Sequence, residues 1–220
     1  MISPRLYKSS QFYDFFIKAL GYESSIDRFL RSLPLECREE CRVMDAGCGT
    51  GVLGLHFLHR FPQSELHATD LEPNFLKATL SNAESQGVDR NRISVGVANI
   101  SQPQMITCLE GRTSELPCDY FDVICVGAVV GYAEDTEASL RQLVRLLAPG
   151  GYLINIEMNE SLSGQYVSRR FHYRNISLER MQQVLTEAGC EVDARKFGAA
   201  HLPAKLTRTG IVARKRTEVT

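Results

Sequence analysis

The chain is short of net charge: 25 Lys and Arg stand against 26 Asp and Glu among 220 residues, a formal balance of −1. A protein held mainly by electrostatics to nucleic acid or to an anionic membrane needs a strong basic field. Neither partner is therefore expected, and a small-molecule partner is. Long apolar runs are also missing. Nothing approaches the roughly 18 residues of a membrane span, and Asp14 and Lys18 interrupt the aromatic N-terminal stretch where a signal peptide would stay apolar. The reading is a cytoplasmic chain. Paired CxxC spacing is absent too. The seven cysteines, at 37, 41, 48, 108, 118, 125 and 190, are odd in number and irregular in spacing, which excludes a secreted disulfide framework and a paired zinc site. Reduced thiols are left. There are no repeats or low-complexity tracts. What is there is 44% apolar residues, enough for one large domain, or one domain with a cap, at about 150 residues per domain.

From residue 42 onward short β-rich runs alternate with helical patterns, the mark of a parallel sheet covered by helices. Strands are expected at 42–46, 65–70, 93–97, 122–126 and 152–157. Helices are expected from Val52 to the stop at Pro62 and from Pro73 to Gly87. A third carries Leu140, Leu143, Val144 and Leu147 into the break Ala148-Pro149-Gly150-Gly151. Residues 101–119 show no period, which predicts a loop or short helix. Ser177 can cap a helix with Met181, Val184 and Leu185 on one face. Two late runs, 191–197 and 210–214, are separated by a loop and predict an antiparallel hairpin.

The strongest signal is Val43-Met44-Asp45-Ala46-Gly47-Cys48-Gly49-Thr50-Gly51, a strand running into a glycine turn ahead of a helix. A dinucleotide fingerprint would place its third glycine at position 52, which is Val52, so the nicotinamide reading weakens. Asp70 ends the second strand, followed by Leu71; the third ends Val97-Ala98-Asn99-Ile100; the fourth reads Tyr120-Phe121-Asp122-Val123-Ile124-Cys125-Val126-Gly127; and Leu146-Leu147-Ala148-Pro149-Gly150-Gly151 turns into the fifth. In this order these segments resemble the class I S-adenosylmethionine-dependent methyltransferases, over about residues 42–157, and point to their small-molecule, UbiE-like branch. The resemblance implies an α/β Rossmann-like fold: a seven-stranded sheet, mostly parallel with an antiparallel last strand, and helices on both faces. It implies S-adenosyl-L-methionine as cofactor, leaving as S-adenosyl-L-homocysteine. By the same resemblance Asp45, Gly47, Cys48, Gly49 and Gly51 wrap the methionine part. Asp70 accepts from the ribose hydroxyls, Leu71 lies under the adenine, Asn99 and Ile100 meet its edge, and Val126 completes the set. For Asp70 the other reading is a helix N-cap, and for Asn99 a residue bracing its own turn.

Methyl transfer from a sulfonium is an in-line displacement in which orientation and exclusion of water do most of the work. The expected reaction is transfer to N or O, less readily to S or C, of a small molecule. His172 and Tyr132 are the candidate catalytic residues, and Tyr13, Arg169, Arg170 and Tyr173 the candidate acceptor contacts. Residues 1–40 are expected to form a helical cover over a catalytic domain at 41–220. The Asn/Asp-Pro-Pro-aromatic sequence of amide and base methyltransferases is missing, as is the acidic set of the magnesium-dependent enzymes, so no metal is implied. Cys37 and Cys41 sit among charged neighbours, unlike a thiol relay. An RNA or protein methyltransferase on the same fold, or a catalytically silent cofactor-binding subunit, are the alternatives. The sequence carries no signal for an oligomeric state.

Overall fold

Val43, Met44 and Ala46 are buried on both faces of β1 (Arg42–Ala46), as a strand with helices on either side requires. The computed structural model describes residues 21–217. Beyond β1 the strands are β2 (Glu65–Asp70), β3 (Ile93–Val97), β4 (Met105–Cys108), β5 (Thr113–Glu115), β6 (Phe121–Gly127), β7 (Leu147–Met158), β8 (Cys190–Arg195) and β9 (Arg208–Lys215). They form one sheet in the order β5-β4-β3-β2-β1-β6-β7-β9-β8. β3, β2, β1, β6 and β7 run parallel, and β9 is antiparallel to both of its neighbours, β7 and β8. The antiparallel last strand is as expected.

Nine strands among the described residues correct the expected seven. The stretch from 105 to 115 folds as a hairpin, antiparallel to the edge of β3. Gly111 turns it at φ +87°, and the Thr107 and Thr113 hydroxyls meet across it at 3.0 Å. Its strands are only four and three residues long, Met-Ile-Thr-Cys and the exposed Thr-Ser-Glu, too short to show an alternation. β7 also starts earlier than expected. Leu147 already pairs with Phe121, and the Pro-Gly-Gly turn is an irregularity inside the pairing, where a side chain on Gly151 would strike the Phe121 and Asp122 carbonyls.

The helices are α1 (Tyr22–Arg31), α2 (Val52–Arg60), α3 (Pro73–Ser85), α4 (Thr136–Leu146), α5 (Leu162–Arg170) and α6 (Leu178–Glu187). Asp135, Ser161 and Ser177 cap α4, α5 and α6 through side-chain bonds to Ala138, Gly164 and Arg180. Two cores result. Phe29, Phe57, Leu58 and Leu66 join α1 and α2 to one face of the sheet; Leu140, Leu143, Met181 and Val184 join α4 and α6 to the other. Each fully buried Leu or Phe contributes roughly 2 kcal/mol. Of the expected cover, residues 1–20, with Tyr13, lie outside the described residues. α1 is held firmly: Phe29 stacks on Phe197 at 4.1 Å, Arg28 donates to the Ala200 and Leu202 carbonyls, and Asp27 meets His56 at 2.7 Å. Among the described residues no helix is long and apolar enough to cross a membrane.

Candidate functional site

Parallel strands end at one edge of the sheet, and there the chain must turn into helices without burying unpaired backbone. The turn after β1 does this with Gly47, Gly49 and Gly51, all at positive φ. The Gly47 and Cys48 amides both donate to the Thr69 carbonyl, at 2.7 and 2.8 Å, which ties the turn to the end of β2. The three glycines have different surroundings. A Cβ on Gly47 would lie 2.4 Å from Val129 Cγ2, and one on Gly51 2.8 Å from Thr79 Cγ2. A Cβ on Gly49 would meet nothing within 4 Å. Gly49 therefore presents bare backbone to open space.

Asp70 braces this turn from across the crevice. Its Oδ2 accepts from the Gly49 amide at 2.9 Å and its Oδ1 from the Glu72 amide at 3.0 Å, so one carboxylate joins the loops after β1 and β2. It is not the N-cap of α3: that position is Glu72, whose side chain makes no capping bond. Burial holds the Asp70 carboxyl above its ordinary range. Asp45 lies deeper. Its Oδ2 accepts from the Gly54 amide in the first turn of α2 at 2.8 Å, while Oδ1 is buried without a hydrogen-bond partner. Burial pushes this carboxyl up to about 7, with the charge of Asp70 adding to the rise. Two carboxylates below an open glycine turn suit a ligand that brings a cation and hydroxyl donors.

Other expected residues are placed less simply. Cys48 is buried, its sulfur 3.5 Å from the Thr79 hydroxyl, and its thiol is raised by burial. Leu71 is exposed at the rim, where a flat ligand would cover it. Asn99 accepts from the Ser101 amide at 2.9 Å, bracing its own turn, and Ile100 packs on the core beneath with its carbonyl taking the Ser139 hydroxyl. Val126 is wholly buried among Met44, Ile124 and Leu140, which removes its side chain from the crevice. The apolar run Val123–Val126 of β6 is buried throughout. Sequence reasoning missed Gly54, where a Cβ would crowd Asp45 Oδ2 at 2.9 Å, and Thr79, whose hydroxyl donates to the Gly49 carbonyl at 3.1 Å. A glycine inside a helix was the available signal for the first.

On the far rim, Tyr132 and Tyr173 meet edge to face at 5.0 Å. Tyr173 is buried. Its hydroxyl accepts from the Gly131 amide at 3.0 Å and stands beside Glu157, a buried carboxyl at the end of β7 that burial raises. Asn155 and Glu157, alternate residues in the buried run from Tyr152 to Met158, are a legible sign of polar groups inside the strand. Tyr173 and Arg169 share a polar cavity of about 480 Å³ with Gln165, Asn175 and Glu160. Arg170 and His172 do not line it. His172 is exposed and turned at φ +55° just past α5; its backbone N–H donates to the Arg169 carbonyl at 3.3 Å, but it does not line the cavity. Among the described residues no group of three His, Cys, Asp or Glu is gathered as a metal site would be.

Residues 44–153, half of the chain, match the family described as a methyltransferase domain. A malonyl-[acyl-carrier protein] O-methyltransferase of Halorhodospira halophila is 29% identical over 125 residues, 57% of this chain and 37% of that protein. A ubiquinone/menaquinone biosynthesis C-methyltransferase UbiE of Vibrio parahaemolyticus is 29% identical over 157 residues, 67% of this chain and 55% of that protein. The chain thus spans well under two thirds of either curated relative. Among solved structures, the geranyl diphosphate C-methyltransferase of Streptomyces coelicolor, crystallised with magnesium, geranyl diphosphate and S-adenosyl-L-homocysteine, superposes with a TM-score of 0.68. That match covers 89% of this chain and 81% of that one at 13% identity, a likeness of fold.

Proposed function

The chain belongs to the methyltransferase-domain family, and we propose that it is an S-adenosylmethionine-dependent enzyme that methylates an N or O atom of a small molecule seated beside the Tyr132–Tyr173 pair. The observation that carries this reading is the Gly49–Asp70 bridge below open space, linked to the aromatic pair by the loop after β6, where Val129 lies against Gly47 and the Gly131 amide donates to the Tyr173 hydroxyl. Bound there, the cofactor supplies a methyl group made electrophilic by its sulfonium. The Gly47–Gly51 turn and Asp70 hold the nucleoside and methionine parts. The Asp45 carboxyl, raised to about 7 by burial, lies beneath the ammonium, and a cation there would favour its ionised form. Tyr132 and Tyr173 orient the acceptor, and Arg169 takes an acidic group on it. His172 does not line the cavity shared by Arg169 and Tyr173, which supports orientation as the main source of rate.

The test is transfer of labelled methyl from S-adenosylmethionine into a cell metabolite extract, run beside RNA and protein fractions. Label in a small molecule is the expected result. Label confined to RNA or protein would overturn the acceptor class, and S-adenosylhomocysteine binding without any transfer would mark a silent cofactor-binding subunit.

A further inference from the structure

The net charge of −1 conceals a local imbalance. On α5, Leu162 is 87% exposed and Tyr166, one turn on, 71%. Leu206, 55% exposed, joins them, because its carbonyl accepts from the hydroxyls of Ser161 and Ser163 on either side of Leu162. Single exposed leucines are ordinary; an i, i+4 pair continued by a third apolar residue from another segment is a patch. The stripe then turns basic. Arg169 and Arg170 follow Tyr166 by three and four residues, and Lys205 precedes Leu206, all exposed. Among the described residues no carboxylate forms an ion pair with any of the three. Glu160 is the acid beside them. Apolar side chains flanked by cations that form no ion pair among the described residues fit the boundary between acyl chains and anionic headgroups, where the leucines and tyrosine enter and the cations stay in water.

We propose that this face docks the chain reversibly on an anionic membrane surface. α5 starts four residues after β7 ends, at the sheet edge that carries the glycine turn, so a chain seated this way turns its site toward the lipid. The expectation of no membrane partner rested on overall charge and on the lack of a span, and neither measures a patch of this size. The docking does not depend on the identity of the methyl acceptor.

The experiment is co-sedimentation of the full chain with vesicles of phosphatidylcholine alone and of equal parts phosphatidylcholine and phosphatidylglycerol. Binding is expected to the anionic vesicles, to be lost in high salt, and to fall by about tenfold or more in Leu162→Glu/Tyr166→Glu. Lys205→Glu should weaken it less. Stabilisation by S-adenosylhomocysteine, measured in parallel, shows that each variant is folded. Its absence from the unaltered chain would count against the methyltransferase reading and leave the lipid result standing. No binding to anionic vesicles, or equal binding by the double variant, overturns the proposal. So does a self-associated chain that the double variant makes monomeric, since the face would then belong to a second copy.

Discussion

Replacing Asp70 by alanine removes in one step the acceptor of two backbone donors, Gly49 N–H at 2.9 Å and Glu72 N–H at 3.0 Å. Each bond is to a charged acceptor, but both donors lie at an open crevice where water can replace the carboxylate. Burial also raises the carboxyl, so the folded chain already carries a cost for ionising it. These two effects place the loss of stability at about 1–3 kcal/mol, at the lower end for two charge-assisted bonds. For a chain of this size that is roughly 2–4 °C of melting temperature per kcal/mol. The loss in ligand affinity is separate. If the oxygens also accept from the ribose, S-adenosylhomocysteine should bind about 5- to 150-fold more weakly, for 1–3 kcal/mol. Asp70→Asn is the sharper variant: an amide has one oxygen, so one of the two N–H donors would face an NH₂ group, and the variant should resemble alanine rather than the parent. Calorimetric titration with S-adenosylhomocysteine, alongside thermal melts, separates the two effects. A folded Asp70→Ala that binds with parental affinity would refute the ribose role and leave the carboxylate as a loop brace alone.

Asp45 makes a prediction about pH. With its folded carboxyl near 7 and an ordinary value near 4 in the unfolded chain, the folded state holds the extra proton between those limits. Stability contributed by this group is therefore present below about pH 4 and declines as pH rises toward 7, by up to about 4 kcal/mol. Asp45→Asn should flatten that slope in urea melts at a series of pH values; an unchanged slope would show that the carboxyl is ionised throughout. The glycines separate packing from binding. Gly47→Ala places a methyl against Val129 at positive φ and should cost about 2–4 kcal/mol. Gly49→Ala meets no atom and should cost only about 1 kcal/mol for its backbone, yet weaken S-adenosylhomocysteine more than tenfold by filling the ligand's path. Parental affinity in Gly49→Ala would move the ligand elsewhere.

Much of this molecule is decided locally. The strands at 42–46, 65–70 and 93–97 and the helix starts at Val52 and Pro73 follow from runs of β-favouring residues, from period, and from glycine and proline, all of which act within a few residues. The glycine turn is legible for the same reason, since positive φ at three alternate positions is a property of the residues that adopt it. What touches the turn is not legible. Asp70 reaches an amide 21 residues earlier, Thr79 closes on the same loop from α3, and Asp45 is buried because Gly54 lets α2 approach. Only the packing of helices on the sheet sets these contacts. Packing also sorted side chains that sequence spacing treats alike: it drew Arg169 and Tyr173 to one cavity, left Arg170 and His172 outside it, and buried Val126 in the core. The hairpin at 105–115 was invisible because its strands are too short to carry a period, and β4 exists by pairing with the edge of β3 and β5 by pairing with β4. Local chemistry wrote the glycine turn, and long-range packing chose which carboxylates brace it, because burial is a property of the assembled molecule and not of any segment.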